Sequence, residues 1–146
     1  MLEGFEFAAV LSCSLFAGAA LYINWAEHPA RMECGTAVAA TVFGPSYKRA
    51  AVMQAALALI ATLSGVSCWI LGGTVLWAAG AGLIFLVIPF TLVVIYPTNK
   101  QLLSPELDRR SENAHALLVR WGRLHAVRTA AGLSATAVFL TAIIRH

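Results

Sequence analysis

The stretch that decides the fold runs from Leu117 to Ile144 and reads LLVRWGRLHAVRTAAGLSATAVFLTAII. Within it, Leu117, Trp121, His125, Arg128 and Gly132 recur every three or four residues, the spacing that places side chains on one face of an α-helix. The first half of the stretch carries the charges, and the second half is apolar. The pattern predicts a membrane helix whose charged first half presents aromatic and cationic side chains at the membrane surface. We call this end the aromatic mouth.

The composition places the whole chain in a lipid bilayer. Hydrophobic residues make up 60% of the 146 residues and charged residues 12%, and the mean hydropathy of +0.77 exceeds that of soluble domains. A membrane helix needs about 20 apolar residues, so the chain has room for four. We predict one all-α domain over residues 1–146, an integral membrane four-helix bundle with up-down-up-down topology. Its predicted spans are 5–24, 50–71, 74–96 and 126–144.

Proline, glycine and serine suggest where these helices begin and end. Pro29 is expected to end the first helix, and a connection of about twenty residues, 30–48, with a short interfacial helix would follow. Gly72 and Gly73 predict a tight turn between antiparallel spans. Residues 97–99 are expected to stop the third helix. Ser104 followed by Pro105 predicts the cap and first turn of an extended, amphipathic start to the fourth.

The distribution of positive charge predicts the orientation. Lys and Arg concentrate in membrane proteins on the cytoplasmic side. Eight of the ten fall in the segments after the first and third spans: Arg31, Lys48, Arg49, Lys100, Arg109, Arg110, Arg120 and Arg123. Loops 1 and 3 are therefore predicted to be cytoplasmic, with both termini on the opposite side. In this setting a formal charge of +3 points to membrane lipid as a partner and gives no support to nucleic-acid binding.

Several familiar kinds of site are not indicated. The cysteines at positions 13, 34 and 68 lack CxxC spacing, and Cys13 and Cys68 are expected to act as small apolar residues within the bundle. The histidines fit neither HExxH nor another common metal pattern. We therefore expect no metal in the site.

A set of polar and aromatic residues falls at the predicted cytoplasmic ends of the helices and could surround one pocket. The set comprises Asn24, His28, Tyr47, Asn99, Trp121, His125 and Arg128. Each also has a structural explanation, since aromatic residues form interfacial belts and arginines reach for headgroups. Gln54 is expected to face the bundle, because an amide exposed to lipid would be costly.

Three segments of the chain resemble a family of small four-span proteins, mostly of unknown function, that includes the anthrone oxygenases of polyketide pathways. The segments are YINWAEHP (22–29), PFTLVVIYPTN (89–99) and WGRLHAVR (121–128). The family pattern highlights His28, Pro97, Asn99, Trp121, His125 and Arg128.

The resemblance implies oxidation of an aromatic anthrone to an anthraquinone by molecular oxygen, with no evident metal or flavin cofactor. Such chemistry needs a base, donors for an oxyanion and an apolar slot that excludes water. His125 would be the base, Arg128 and Asn99 would hold the anion, and His28 would aid proton transfer. Trp121 would stack on the substrate, and Asn24 and Tyr47 would complete its binding site.

Two other functions stay open at this point. The aromatic mouth could contact a larger membrane complex without catalysis, or it could bind a quinone or a lipid-like amphiphile without turnover. A hydrophobic aromatic molecule and a second copy of the chain are the further partners expected.

Overall fold

Four long helices form the molecule in the computed structural model, which describes residues 1–145. They span Leu2–Glu33, Thr36–Ile70, Val75–Leu102 and Glu112–Ile144, and each is long and apolar enough to cross a membrane. The described residues contain no β-strand. The predicted all-α membrane bundle of four helices is therefore confirmed.

Two of the four helices contain a wider π-helical turn. The first consists of α1 (Leu2–Tyr22), a π-turn at Ile23–Glu27 and α2 (His28–Glu33). The third consists of α4 (Val75–Phe90), a π-turn at Thr91–Ile95 and α5 (Tyr96–Leu102). The second and fourth are single α-helices, α3 (Thr36–Ile70) and α6 (Glu112–Ile144).

The helices pack as a square. α1 lies between α3 and α6, and α4 also contacts both α3 and α6. Consecutive helices are thus antiparallel neighbours, and the last helix closes the square against the first. The charged residues of α2, α5 and the start of α6 meet at one end of this bundle.

The prediction that Pro29 and Pro97 end their helices was wrong. Each proline is placed two residues after a π-turn, in the first turn of the helical segment that follows. A proline inside a continuous helix lacks the N–H that would bond the preceding turn. The wider π-turn absorbs the break in the hydrogen-bond ladder. Both helices therefore continue, to Glu33 and to Leu102.

The prediction of a long connection over residues 30–48 was also wrong. α3 begins at Thr36 and incorporates Pro45, so only Cys34 and Gly35 join the first two long helices, and no separate interfacial helix exists there. Gly35 makes this possible because its φ of 95° is a conformation that glycine adopts without strain. Gly72, with φ 98°, serves the predicted second turn in the same way.

The fourth helix starts later than Ser104 and Pro105 suggested. The Ser104 hydroxyl accepts a hydrogen bond from the Glu106 N–H, which stabilises a local turn instead of a helix. The true cap is Ser111, whose hydroxyl accepts from the Ala114 N–H at 3.1 Å. α6 therefore runs from Glu112 to Ile144.

At the end of the bundle that carries few charges, small residues let the helices approach closely around one aromatic side chain. The Phe139 ring is fully buried and packs on Trp77 with ring centroids 5.5 Å apart. A methyl group at Gly65 or Gly80 would approach the Phe139 ring to 2.8 or 2.6 Å, respectively. Both glycines thus provide the space that this ring fills.

We expect Gly80→Ala to destabilise the bundle, because the added methyl group overlaps the Phe139 ring. The expected loss is about 1–3 kcal/mol, typical of an overfilled core, and thermal unfolding in detergent measures it. Gly82→Ala on the same helix is the control, since a methyl group there meets nothing within 4 Å. An equal loss in both variants would contradict this packing.

Candidate functional site

A small cavity lies between the helices near their charged end. Its volume is about 20 Å³, counted as the space open to the centre of a water-sized sphere, which is room for about one water molecule. Its walls are formed by Ile23, Arg31, Phe43, Ser46, Tyr47, Ala50, Ala51, Gln54, Asn99, Trp121, His125 and Arg128. The cavity therefore combines two guanidinium groups, an imidazole and two amides with aromatic and aliphatic walls.

Asn24 fixes the orientation of the His125 ring. The Asn24 amide donates from Nδ2 to the Gly122 carbonyl at 3.0 Å, so Oδ1 faces the other way as an acceptor. This oxygen accepts from the Thr129 hydroxyl at 2.6 Å and lies 2.7 Å from His125 Nδ1. His125 must therefore carry a proton on Nδ1, since Oδ1 can only accept. In the neutral ring, Nε2 is then left with a lone pair.

Asn24 can make these contacts because the first helix continues past Tyr22. Asn24 lies in the π-turn Ile23–Glu27, and its partners on α6, Gly122, His125 and Thr129, follow one another at about one helical turn. The Thr129 hydroxyl also lies 3.3 Å from the His125 carbonyl oxygen. One side chain of the first helix thus holds two turns of the last helix in register.

Trp121 forms the aromatic centre of the site. His125 stacks on its ring at a centroid distance of 4.7 Å and an interplanar angle of 26°. Phe43 meets the ring edge-on at 5.2 Å, and the guanidinium of Arg31 lies 5.5 Å from the ring centroid, within cation–π range. Trp121 is only 5% exposed. In this closed arrangement the indole supports His125 and Arg31.

Arg128 approaches the cavity from α6. Its Nη2 donates to Gln54 Oε1 at 2.8 Å, and its guanidinium lies 5.5 Å from the Phe16 ring centroid. Gln54 is 2% exposed, so the prediction that it faces the bundle is confirmed. The cavity wall contains no aspartate or glutamate. The positive charge of Arg128 is thus balanced by no carboxylate in the wall.

Several buried polar atoms around the cavity have no hydrogen-bond partner among residues 1–145. Asn99 is 1% exposed, and both atoms of its amide are unpaired. The other unpaired atoms on cavity-lining residues are Arg31 Nε, Gln54 Nε2 and Arg128 Nε. Buried polar groups without partners are rare and costly in proteins. They leave hydrogen-bond donors and acceptors in the cavity that a water molecule or a ligand can pair with.

The structure gathers the residues that the sequence singled out, in two layers. Tyr47, Asn99, Trp121, His125 and Arg128 line the cavity. Asn24 and His28 lie behind it: Asn24 bonds His125, and His28 is buried against the Trp121 ring at a centroid distance of 5.3 Å. A methyl group at Gly122 would lie 2.7 Å from His28 Nε2. This glycine therefore allows His28 to approach α6.

Arg31 is a charged residue of the cavity wall that is absent from the set predicted from the sequence. It is 7% exposed, and its Nη1 lies 3.8 Å from the Glu27 carboxylate. That carboxylate also accepts a hydrogen bond from Ser46 at 2.6 Å. Glu27 and Arg31 are four residues apart, a helical pairing that the sequence contains. This pairing requires the helix to continue past Pro29, whereas the sequence predicts that the helix ends there.

A groove on the outer surface of the bundle also reaches Arg128. It is lined by Leu86, Val87, Phe90, Val127, Arg128 and Ala131, and it has a volume of about 210 Å³. Phe90 and Val127 lie on α4 and α6, so the groove opens between two membrane helices. Arg128 therefore borders both the inner cavity and a surface that faces lipid.

Potential metal ligands are not clustered in the described part of the chain, where no three His, Cys, Asp or Glu side chains could hold one ion. Cys13 and Cys68 are buried as expected, and Cys34 is exposed.

Comparison with known proteins gives one family. The family model described as anthrone oxygenase matches residues 43–138, more than half of the chain. The match includes the cavity residues from Phe43 to Arg128 but not Asn24, His28 or Arg31. Neither the curated proteins nor the solved structures give a match. On the strength of the family match and the four-helix fold, the chain belongs to the anthrone oxygenase family.

Proposed function

We propose that the protein oxidises an anthrone-like polycyclic aromatic to a quinone, using molecular oxygen and its own side chains. The observation that carries the proposal is the pairing of Asn24 with Nδ1 of His125, a residue of the cavity wall, because it leaves the lone pair of a neutral ring on Nε2, where it would act as the base. Arg128 and Asn99 line the same cavity and offer donors for the anion that this base would create. Family membership supports the same reaction class.

His125 would begin the reaction by removing a proton from the methylene carbon of the anthrone. The carbanion is delocalised over the rings onto the carbonyl oxygen, so the proton leaves far more readily than from an ordinary methylene group. Asn24 holds the imidazole through Nδ1 and Trp121 supports its face, so the ring is oriented before the substrate arrives. In this role Asn24 and Trp121 are positioning residues.

Arg128 and Asn99 would stabilise the oxyanion of the deprotonated substrate. The Arg128 guanidinium still has an unpaired Nε–H, and the Asn99 amide has both donor hydrogens unused. Donors that are already oriented in a dry site stabilise a developing charge more strongly than water does. These unpaired donors would thus be available to form hydrogen bonds with the bound anion.

The oxidation balances with oxygen as the only oxidant. The carbanion carbon forms a bond to one oxygen atom of O₂, and a proton completes a hydroperoxide. Loss of the remaining C–H proton and cleavage of the O–O bond then give the ketone and water. Anthrone and O₂ are thus converted to anthraquinone and water in equal amounts. His28, buried beside Trp121, is proposed to assist the proton transfers.

The substrate would enter from the bilayer. The closed cavity holds about one water molecule, so a three-ring substrate needs side chains to move apart. The groove between Phe90 and Val127 leads from the lipid surface to Arg128, which is shared with the cavity. A planar apolar substrate partitions into membranes, and this groove suits its arrival. We propose that this end of the bundle lies on the cytoplasmic side, as its positive charge indicates.

The test is turnover of an unsubstituted anthrone by the detergent-purified, metal-stripped protein, followed by the absorbance of the quinone. We expect a rate above autoxidation in air and none under anaerobic conditions. Turnover that appears only after a metal or flavin is added would overturn the cofactor-free mechanism. Binding of the quinone without any excess rate would instead support the role of a quinone-binding protein.

A further inference from the structure

A second pocket lies at the charged end of the bundle, apart from the cavity described above. One wall is the α3 face formed by Ala40, Thr41, Gly44, Pro45, Lys48 and Arg49. The other wall comes from Leu102, Leu103 and Arg109, at and after the end of α5. Its volume is about 460 Å³, within the usual range for small-molecule sites. No residue of the first cavity lines this pocket.

The pocket is strongly positive. The side chains of Lys48, Arg49 and Arg109 are exposed, and none of them makes an ion pair with a described residue. No carboxylate lines the pocket. The nearby Asp108 accepts a hydrogen bond from the Arg110 N–H at 2.9 Å and so stabilises its own turn. Three cations thus converge on a concave surface that contains no anion.

The depth of the pocket matches that of phospholipid headgroups. After Arg49, α3 continues without a charge from Ala50 to Ile70, a length of about 31 Å at 1.5 Å per residue. This equals the hydrocarbon core of a typical bilayer, about 30 Å. Lys48 and Arg49 therefore lie where that core ends, at the level of lipid phosphates.

The backbone of α3 adds a hydrogen-bond acceptor to the pocket. Pro45 lacks an N–H, so the carbonyl of Thr41, four residues earlier, has no helical partner. Both residues line the pocket. Gly44 brings α3 close to the other wall, because a methyl group there would be in van der Waals contact with the Leu103 side chain at 3.6 Å. The Thr41 carbonyl is therefore available to accept a hydrogen bond from a ligand.

We propose that this pocket binds the headgroup of an anionic phospholipid that carries hydroxyl groups, of the phosphatidylglycerol type. The phosphate contacts Lys48, Arg49 and Arg109, and a hydroxyl group of the glycerol donates to the Thr41 carbonyl. The site is independent of the proposed oxygenase activity, because the two sites share no lining residue.

The experiment measures phosphatidylglycerol binding by native mass spectrometry, after release from nanodiscs of phosphatidylcholine with a small fraction of phosphatidylglycerol. We expect the wild type to retain one phosphatidylglycerol molecule. The triple variant K48Q/R49Q/R109Q should bind it at least about tenfold more weakly. The triple variant R110Q/R120Q/R123Q is the control, because it removes the same charge from exposed positions outside the pocket.

Two further measurements test the shape of the pocket and the source of its ligand. The first changes shape without charge, and the second compares a membrane lipid with a soluble phosphate. Gly44→Leu should also weaken retention of the lipid, since its side chain fills the pocket without altering charge. Soluble glycerol phosphate should not displace the lipid. Equal losses in the two triple variants, full retention in Gly44→Leu, or displacement by soluble glycerol phosphate would each overturn the proposal.

Discussion

His125→Ala should lower oxygen-dependent turnover of an anthrone by at least about 100-fold, the usual contribution of a positioned general base. The imidazole is the side chain that the structure orients most firmly in the cavity, through Asn24 on one nitrogen and Trp121 on its face. The methyl group of alanine leaves the proton without an acceptor. Initial rates of quinone formation in air, corrected for autoxidation, measure the effect.

The matched control for this variant is His115→Ala on the same helix. His115 is exposed and lies 3.3 Å from the Thr36 hydroxyl, near the start of α6. Its removal should leave the rate within about twofold of the wild type, as for a surface substitution that touches no catalytic group. A loss of less than tenfold in His125→Ala would remove His125 from the role of base.

Arg128→Gln should lower turnover by about 100-fold to 1,000-fold, as the loss of a donor to a developing oxyanion does in other enzymes. The substitution removes the charge while retaining an amide that can still reach a neighbouring acceptor. We expect most of the loss in kcat, because the substrate oxygen carries more negative charge in the transition state than in the bound ketone. Steady-state kinetics separates kcat from KM.

Arg123→Gln provides the comparison for Arg128. Arg123 is exposed on α6 and lines neither the cavity nor the outer groove that reaches Arg128. The turnover rate of Arg123→Gln should therefore stay near that of the wild type. If Arg128→Gln raised KM and left kcat unchanged, Arg128 would bind the substrate without stabilising the anion. Equal losses in the two variants would indicate a general effect of charge.

The Trp121 ring is almost fully covered by its neighbours in the cavity wall. His125 and Arg31 both lie within 5.5 Å of the Trp121 ring centroid, and Trp121 is only 5% exposed, so little of the indole is free to stack on a substrate. The sequence suggested Trp121 as a substrate platform, whereas its surroundings favour the role of a support for His125. In either role the indole lies at the centre of the site. The polar atoms around it that have no partner are available to bind a ligand.

The bilayer setting and the four-helix bundle followed from the sequence alone, because burial of backbone polar groups in lipid leaves a helix as the simplest way for 20 apolar residues to cross. The stripe from Leu117 to Gly132 likewise identified the inner face of α6, and Leu117, Trp121, His125 and Gly132 do lie there against the other helices. Periodicity within one helix is a local property, so it can be read without knowing the neighbours.

Tertiary structure decided how the helices pass their prolines and what the site residues bind. The local sequence predicts helix ends at Pro29 and Pro97, but packing against α6 and the wider π-turns keep both helices continuous. That continuity brings Arg31 into the cavity wall and lets Asn24 reach His125 across about a hundred positions of sequence. The physical reason is that hydrogen bonding and burial between helices outweigh the local preference of a proline, and such long-range gains leave no mark in the spacing of residues along one helix.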